Sequence, residues 1–148
     1  LNDLRRLDEQ ALPQMVQRFA ALALPAGAAL PDPLPPPALQ SSAAARQSLL
    51  ARLGLNAATP AIAFCPGAEY GPAKRWPEAH YAALARMLAA RGFAVWLVGS
   101  PKDHAVAETI ARQADGGCIN LCGRTDIAEA ADLLGAARLV VSNDSGLM

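Results

Sequence analysis

The sequence predicts an α/β domain with a Rossmann-like parallel sheet covered by helices on both faces, and three observations predict it. Short, almost wholly apolar runs recur at 61–65, 93–98, 118–121 and 139–141. Between them lie longer stretches, 78–91, 100 to about 114 and 126–137, whose apolar residues repeat at helical spacing. Glycines, prolines and capping side chains mark the changes of period. A parallel pair of strands needs a long crossover, and a crossover helix covers one face. Near-continuous apolar strands alternating with helices therefore imply a buried parallel sheet.

Taken in order, Asp8 can cap a helix that runs through Pro13 and ends near Ala23, with Leu12, Met15, Val16 and Phe19 as its apolar stripe. The stretch 24–40 holds six of the twelve prolines, including Pro35, Pro36 and Pro37. Proline fixes φ and lacks an amide donor, so this stretch is extended and reads as a linker. Ser42 then caps a helix through Leu53 that Gly54 stops. The run 61–65, bounded by Pro60 and Pro66, is the first strand. Pro77 opens the helix 78–91, which Gly92 ends; 93–98 is the second strand. Ser100 and Pro101 open a helix to about Ala114, 118–121 is the third strand, and Thr125 is expected to cap a helix over 126–137. The fourth strand is 139–141.

The bulk properties bound the function. The 148 residues suffice for one domain with a core, and 53% hydrophobic with 18% charged residues describes a globular chain. Thirteen basic residues balance thirteen acidic ones, so no net positive field holds DNA or RNA, and nucleic acid is not an expected partner. No run of about eighteen apolar residues crosses a membrane, and the charged start carries no signal-peptide core. The absence of an initiating Met, and an end directly after a strand pattern, suggest a piece of a longer chain. Cys65, Cys118 and Cys122 are odd in number and lie in or beside apolar segments, as buried thiols do. His80 and His104 stand at no zinc-ligand spacing from Cys118 and Cys122, so no metal is expected.

In an open parallel sheet, ligands bind beyond the carboxyl ends of the strands where the strand order reverses. With the order 3-2-1-4, the loops at that point are 65–76 and 142–148. In the first, Gly67 and Gly71 permit close approach of backbone to ligand, while Pro66, Pro72 and Pro77 restrict the loop. Lys74 is a compact cation suited to a diphosphate, and Arg75 offers a planar fork for the same task. Both lie near a helix start, where the dipole disfavours cations, so they are either solvated charges or held for an anionic ligand. Trp76 reads as an anchor for the helix rather than a stacking platform; Glu69 and Tyr70 either reach the ligand or line the loop. In the second loop Gly146 and exposed amides suit an anion cradle, and Asp144 is either a cap or a ligand to sugar hydroxyls. Asp103 is a candidate for ribose hydroxyls or, equally, a carboxylate at a helix start. The backbone of Gly123, Arg124 and Thr125 is placed to address a base edge. The dinucleotide fingerprint, the P-loop and the hydrolase nucleophile elbow are all missing from the sequence.

These loops, CPGAEYGPAKRWP at 65–77, GSPKDH at 99–104 and SNDSGLM at 142–148, together with LNDLRRLD at 1–8, resemble the ADP-heptose:lipopolysaccharide heptosyltransferase II family within glycosyltransferase family 9. The resemblance covers nearly the whole chain and implies the two-domain GT-B architecture. On it, residues 1–24 end the N-terminal acceptor domain, 25–40 are the interdomain linker, and 41–148 are part of the nucleotide-sugar-binding domain. It implies that the full-length protein transfers heptose from ADP-heptose to the lipopolysaccharide core with inversion and without a cofactor. The fragment by itself is expected to be inactive. It further implies that Lys74 contacts the diphosphate, Asp103 the ribose and the backbone of Gly123, Arg124 and Thr125 the adenine. Asp144, Ser145, Gly146 and Leu147 would form the sugar-diphosphate loop, with Glu69 and Tyr70 beside the substrate. The family's general base lies in the acceptor domain, and its loop usually continues with a His after the position of Met148. The expected place of work is the cytoplasm, at the cytoplasmic face of the inner membrane. A related GT-B transferase using another nucleotide sugar, or a binding module without catalysis, remain alternatives.

Overall fold

The structure, a computed structural model, describes residues 3–36, 38–69, 72–144 and 146. The chain divides into two compact units, Leu1–Ala38 and Leu39–Met148.

Among its described residues the first unit holds one helix, α1 (Met15–Leu22), shorter than the sequence predicts. Asp8 does cap, but only a single turn: its Oδ1 accepts from the amides of Gln10 and Ala11, each at 3.0 Å. Pro13 has no amide to continue that turn and pushes Leu12 away from helical geometry, so the helix restarts at Gln14. The amide of Gln14 donates to Gln17 Oε1 at 2.9 Å. At the other end Arg5 donates to the carbonyls of Ala21 and Leu24, both at 2.7 Å, which satisfies acceptors a helix terminus leaves open. The expected apolar stripe is largely exposed: Met15, Val16 and Phe19 face outward.

The second unit is the predicted parallel sheet. Its elements are α2 (Ala43–Leu53), β1 (Ala61–Cys65), α3 (Glu78–Ala89), β2 (Ala94–Leu97), α4 (His104–Gln113), β3 (Ile119–Asn120), α5 (Ile127–Ala136) and β4 (Leu139–Ser142). The strand order is β3-β2-β1-β4, all parallel. Alternation along β1 divides the core in two. Ala61, Ala63 and Cys65 pack with Leu49, Leu50 and Leu53 of α2 and Leu133 of α5. Ile62 and Phe64 point the other way, onto Tyr81 and Ala85 of α3 and Ala107 and Ile110 of α4. Every residue of β1 is buried, as a strand covered on both faces must be.

Local signals account for most boundaries. Ser42 accepts from the Ala45 amide at 2.9 Å, and Gly54 ends α2 in the left-handed conformation (φ 71°) that glycine adopts without strain. Two expectations are corrected. Asp126, not Thr125, caps α5: its carboxylate accepts from the Glu129 amide at 2.8 Å while Glu129 accepts from the Asp126 amide at 3.2 Å. The helix after β2 begins as a 3₁₀ turn, Pro101–Asp103, before α4 proper. No helix of the described residues is long and apolar enough to cross a membrane.

Candidate functional site

The register of the sheet brings the two candidate loops together. Cys65, the last residue of β1, pairs with Ser142, the last of β4, so the chain leaves both strands side by side. The Asn143 amide extends this ladder to Cys65 O at 3.4 Å. Its side chain then joins three segments. Oδ1 accepts from the Trp76 amide and from the Tyr81 hydroxyl, both at 3.1 Å, while Nδ2 donates to the carbonyls of Pro66 at 2.8 Å and Gly67 at 3.4 Å. Asn143 is the buried polar side chain of the described core, and its donors and acceptor are used.

On the outer side of this junction Lys74 and Asp144 meet, Nζ to Oδ2 at 3.0 Å. Lys74 ends the short turn Pro72–Lys74, and both side chains are well exposed, 47% and 73%. An ion pair this accessible contributes about 0–1 kcal/mol, so it stabilises little and is readily exchanged for a more highly charged partner. Arg75 turns inward to donate to Ala68 O at 3.0 Å and lines a cavity beyond the carboxyl ends of β1 and β2. The Trp76 ring lies edge-on to Tyr81 at 4.9 Å and beside His80 at 5.5 Å, yet remains 41% exposed. It anchors the helix entry through its amide and sits at the rim.

Beyond the carboxyl ends of β1 and β2 opens a cavity of about 560 Å³, within the range of small-molecule sites. Gly67, Gly99, Asp103, Thr125, Ile127 and Gly146 are among its walls. Asp103 closes a capping box in which its Oδ2 accepts from the Ser100 amide at 2.8 Å and the Ser100 hydroxyl at 2.7 Å. Its carboxylate is therefore both the helix-start group and a cavity wall. Glu69 and Lys102, also walls, face each other across the mouth at 3.7 Å, both highly exposed.

The base-edge candidates are partly occupied. The Gly123 amide donates to Gly99 O at 2.9 Å, and the Arg124 amide to Leu121 O at 3.0 Å. Gly123 (φ 78°) sits against Pro101, where an added Cβ would come within 3.1 Å of the proline Cα. Thr125, released from capping, is the member of the three that lines the cavity. Lys74 and Asp144 are brought together outside that lining. Tyr70, Gly71, Ser145, Leu147 and Met148 lie outside the described residues.

The thiols are buried and poorly disposed to act as nucleophiles. Burial, reinforced by the nearby Asp103 charge, pushes Cys65 up to about 11 and Cys122 up to about 12; burial also raises Cys118 to about 11, with Glu108 adding to it. All three are free and buried. Among the described residues no cluster of three or more potential metal ligands occurs. Burial, then Cys65, lifts Tyr81 to about 12, so its hydroxyl keeps the proton it donates to Asn143.

Sequence reasoning passed over Asn143 and Ile127. Asn143 carried a signal in a polar amide directly after an apolar strand. Ile127 is 86% exposed at the first position of α5, an apolar residue out of phase with the buried face.

Comparison with known proteins agrees along the whole chain. The family model described as glycosyltransferase family 9 (heptosyltransferase) matches residues 1–148. The lipopolysaccharide heptosyltransferase 2 of Salmonella typhimurium is 44% identical over 157 residues, covering 100% of this chain and 45% of its own length. The lipooligosaccharide heptosyltransferase 2 of Haemophilus ducreyi is 47% identical over 159 residues, with 100% and 45% covered. The solved structure of the E. coli ADP-heptose lps heptosyltransferase II superposes with a TM-score of 0.87 at 44% identity, over 99% of this chain and 47% of that one. The chain thus spans about half the length of the curated relatives it matches.

Proposed function

The chain belongs to glycosyltransferase family 9, and on that premise we propose that it is the donor-binding part of an enzyme transferring heptose from ADP-heptose to the lipopolysaccharide core. The observation that carries this reading is the convergence of the β1 and β4 loops, with Lys74 and Asp144 3.0 Å apart, beside a cavity of nucleotide size. Residues 41–148 act as the nucleotide-sugar domain, 25–40 as the linker and 1–24 as the end of an acceptor-binding domain. The names of the relatives supply the donor and acceptor classes.

In this reading the nucleoside occupies the cavity. Asp103 accepts from ribose hydroxyls through Oδ1, since Oδ2 is engaged by Ser100. Because the amides of Gly123 and Arg124 are spent on the ladder and the turn, the base is read at Thr125. Glu69 lines the mouth, and Tyr70, its neighbour in sequence, is assigned a contact with the substrate. Lys74 leaves Asp144 for the diphosphate, and Asp144 turns to the sugar hydroxyls together with Ser145, Gly146 and Leu147. An acceptor hydroxyl, deprotonated by a base that the family resemblance places in the acceptor domain, attacks the anomeric carbon and inverts it. Negative charge grows on the departing ADP, and Lys74 stabilises that charge more in the transition state than in the bound donor. The reaction needs no cofactor. The acceptor places the work at the cytoplasmic face of the inner membrane, by peripheral contact.

The test is heptose transfer by the protein that carries this chain. Lys74→Ala should lower kcat about a hundredfold with an unchanged fold, the loss typical of removing one preorganised donor. Unchanged turnover removes Lys74 from the chemistry. Calorimetry should show preference for ADP over UDP and GDP; a preference for UDP removes the ADP-heptose assignment.

A further inference from the structure

We propose that Asn143 is a positioning residue that sets Lys74 for its work on the leaving diphosphate, acting through the Trp76 amide. The inference takes its chemistry from the donor-binding reading above. Asn143 lies next to Asp144 on one loop, and it grips the other loop at Trp76, two residues beyond Lys74. Both ends of the Lys74–Asp144 pair are thus tied to one buried amide.

The chemistry of the contacts requires an asparagine. Two donors, the Trp76 amide and the Tyr81 hydroxyl, face Oδ1; two carbonyls, those of Pro66 and Gly67, face Nδ2. This arrangement fixes which way the amide points, because the flipped group would set donors against donors and acceptors against acceptors. Asp is nearly isosteric but has no donor for the carbonyls, and its charge would lie 2.8 Å from Pro66 O. Serine and threonine are too short to span both sides, and apolar residues satisfy neither. Tyr81 is held in place by the core, 1% exposed and packed on Phe64 with ring centroids 5.5 Å apart. The bracket therefore runs from the rigid layer of α3 and β1 to the two charge-bearing loops. A salt bridge as exposed as Lys74–Asp144 cannot fix its own geometry, so the fixed point lies behind it.

The experiment is a double-substitution cycle on the heptose-transferring protein, with Asn143→Asp and Lys74→Ala singly and together. Misplacing a catalytic group by about an ångström costs on the order of a hundredfold. Asn143→Asp should lower kcat about ten- to a hundredfold, with KM for the donor changed less than about threefold, because the loss falls on charge that appears in the transition state. With Lys74→Ala already in place, Asn143→Asp should cost less than about twofold more. Multiplicative losses, or an unchanged kcat in a folded Asn143→Asp protein, overturn the proposal. Should Asn143→Asp not fold, Tyr81→Phe removes a single donor. It should lower kcat about threefold when Lys74 is present and leave it unchanged in the Lys74→Ala variant; equal effects in both overturn the proposal. If the unsubstituted protein transfers no heptose, the functional reading has failed. The same cycle run on inorganic pyrophosphate affinity then decides the bracket: coupled losses support it and independent losses overturn it.

Discussion

Gly67 and Asp103 occupy neighbouring space from two different loops. A Cβ on residue 67 would stand 2.5 Å from Asp103 Oδ1 and 2.7 Å from its Cγ. The carboxylate has little room to withdraw, because Ser100 holds Oδ2 and a Cβ at Gly99 would already be 2.9 Å from that atom. Gly67→Ala should therefore lower stability by about 1–3 kcal/mol, as overpacking does, and weaken ADP binding together with it. A urea midpoint and calorimetry check this, and an unchanged midpoint would mean that the carboxylate yields. The sequence reads Gly67 as a place where backbone approaches a ligand. The close approach in the structure is by Asp103, and no local pattern reveals a partner supplied by another loop. Asn143 escapes notice for the same reason. Its neighbours Asp144 and Gly146 bear recognisable chemistry, whereas its own role arises only when the ends of β1 and β4 and the start of α3 meet around it.

At the scale of elements, what is local is legible. The bounds of β1 and α2 follow from apolar period, Ser42 and Gly54, whereas the order β3-β2-β1-β4 matches the usual order of such sheets and no local signal specifies it. Where two local signals compete, the sequence decides less well. Thr125 and Asp126 are both cap-forming residues, and the choice depends on where the helix axis must start to bury Ala130 and Leu133. That placement puts Glu129 at the third helical position, where it completes a capping box with Asp126. Asp126→Ala should thus cost about 1 kcal/mol of stability, and Thr125→Ala much less than that. Chemical denaturation of the two variants distinguishes them; equal losses would mean that the box contributes nothing. If Thr125 reads the base, Thr125→Ala should instead weaken ADP affinity while leaving the denaturation midpoint in place. β3 is shorter than its apolar run, yet the Leu121 and Gly123 amides carry the ladder on to Leu97 O at 2.8 Å and Gly99 O at 2.9 Å. The Asn120 side chain accepts from the Cys122 amide at 3.0 Å and donates to Glu108 at 2.6 Å.

For the whole molecule, balanced charge, the buried thiols and the Tyr81 hydroxyl contribute to the response to pH. The thirteen basic and thirteen acidic residues leave no net charge to drive unfolding at neutral pH. Cys65 belongs to one half of the core and Cys118 and Cys122 to the other, so both faces of the sheet enclose neutral thiols. Each has its folded-state pKa raised from about 9 to about 11 or 12. Below pH 9 the thiols are protonated in both states, and stability does not depend on them. Above pH 9 the unfolded chain loses those protons first, so it binds fewer protons than the folded state and stability falls as pH rises. Each thiol can add a slope of up to about 1.4 kcal/mol per pH unit between its unfolded and folded values. Urea unfolding at pH 8, 9, 10 and 11 should accordingly be flat to about 9 and then decline. Cys122→Ala, although less stable at pH 8 through lost packing, should show a shallower decline than the unsubstituted protein. A decline of the same steepness would mean that the Cys122 thiol does not carry its share, and that groups other than the core thiols govern alkaline unfolding.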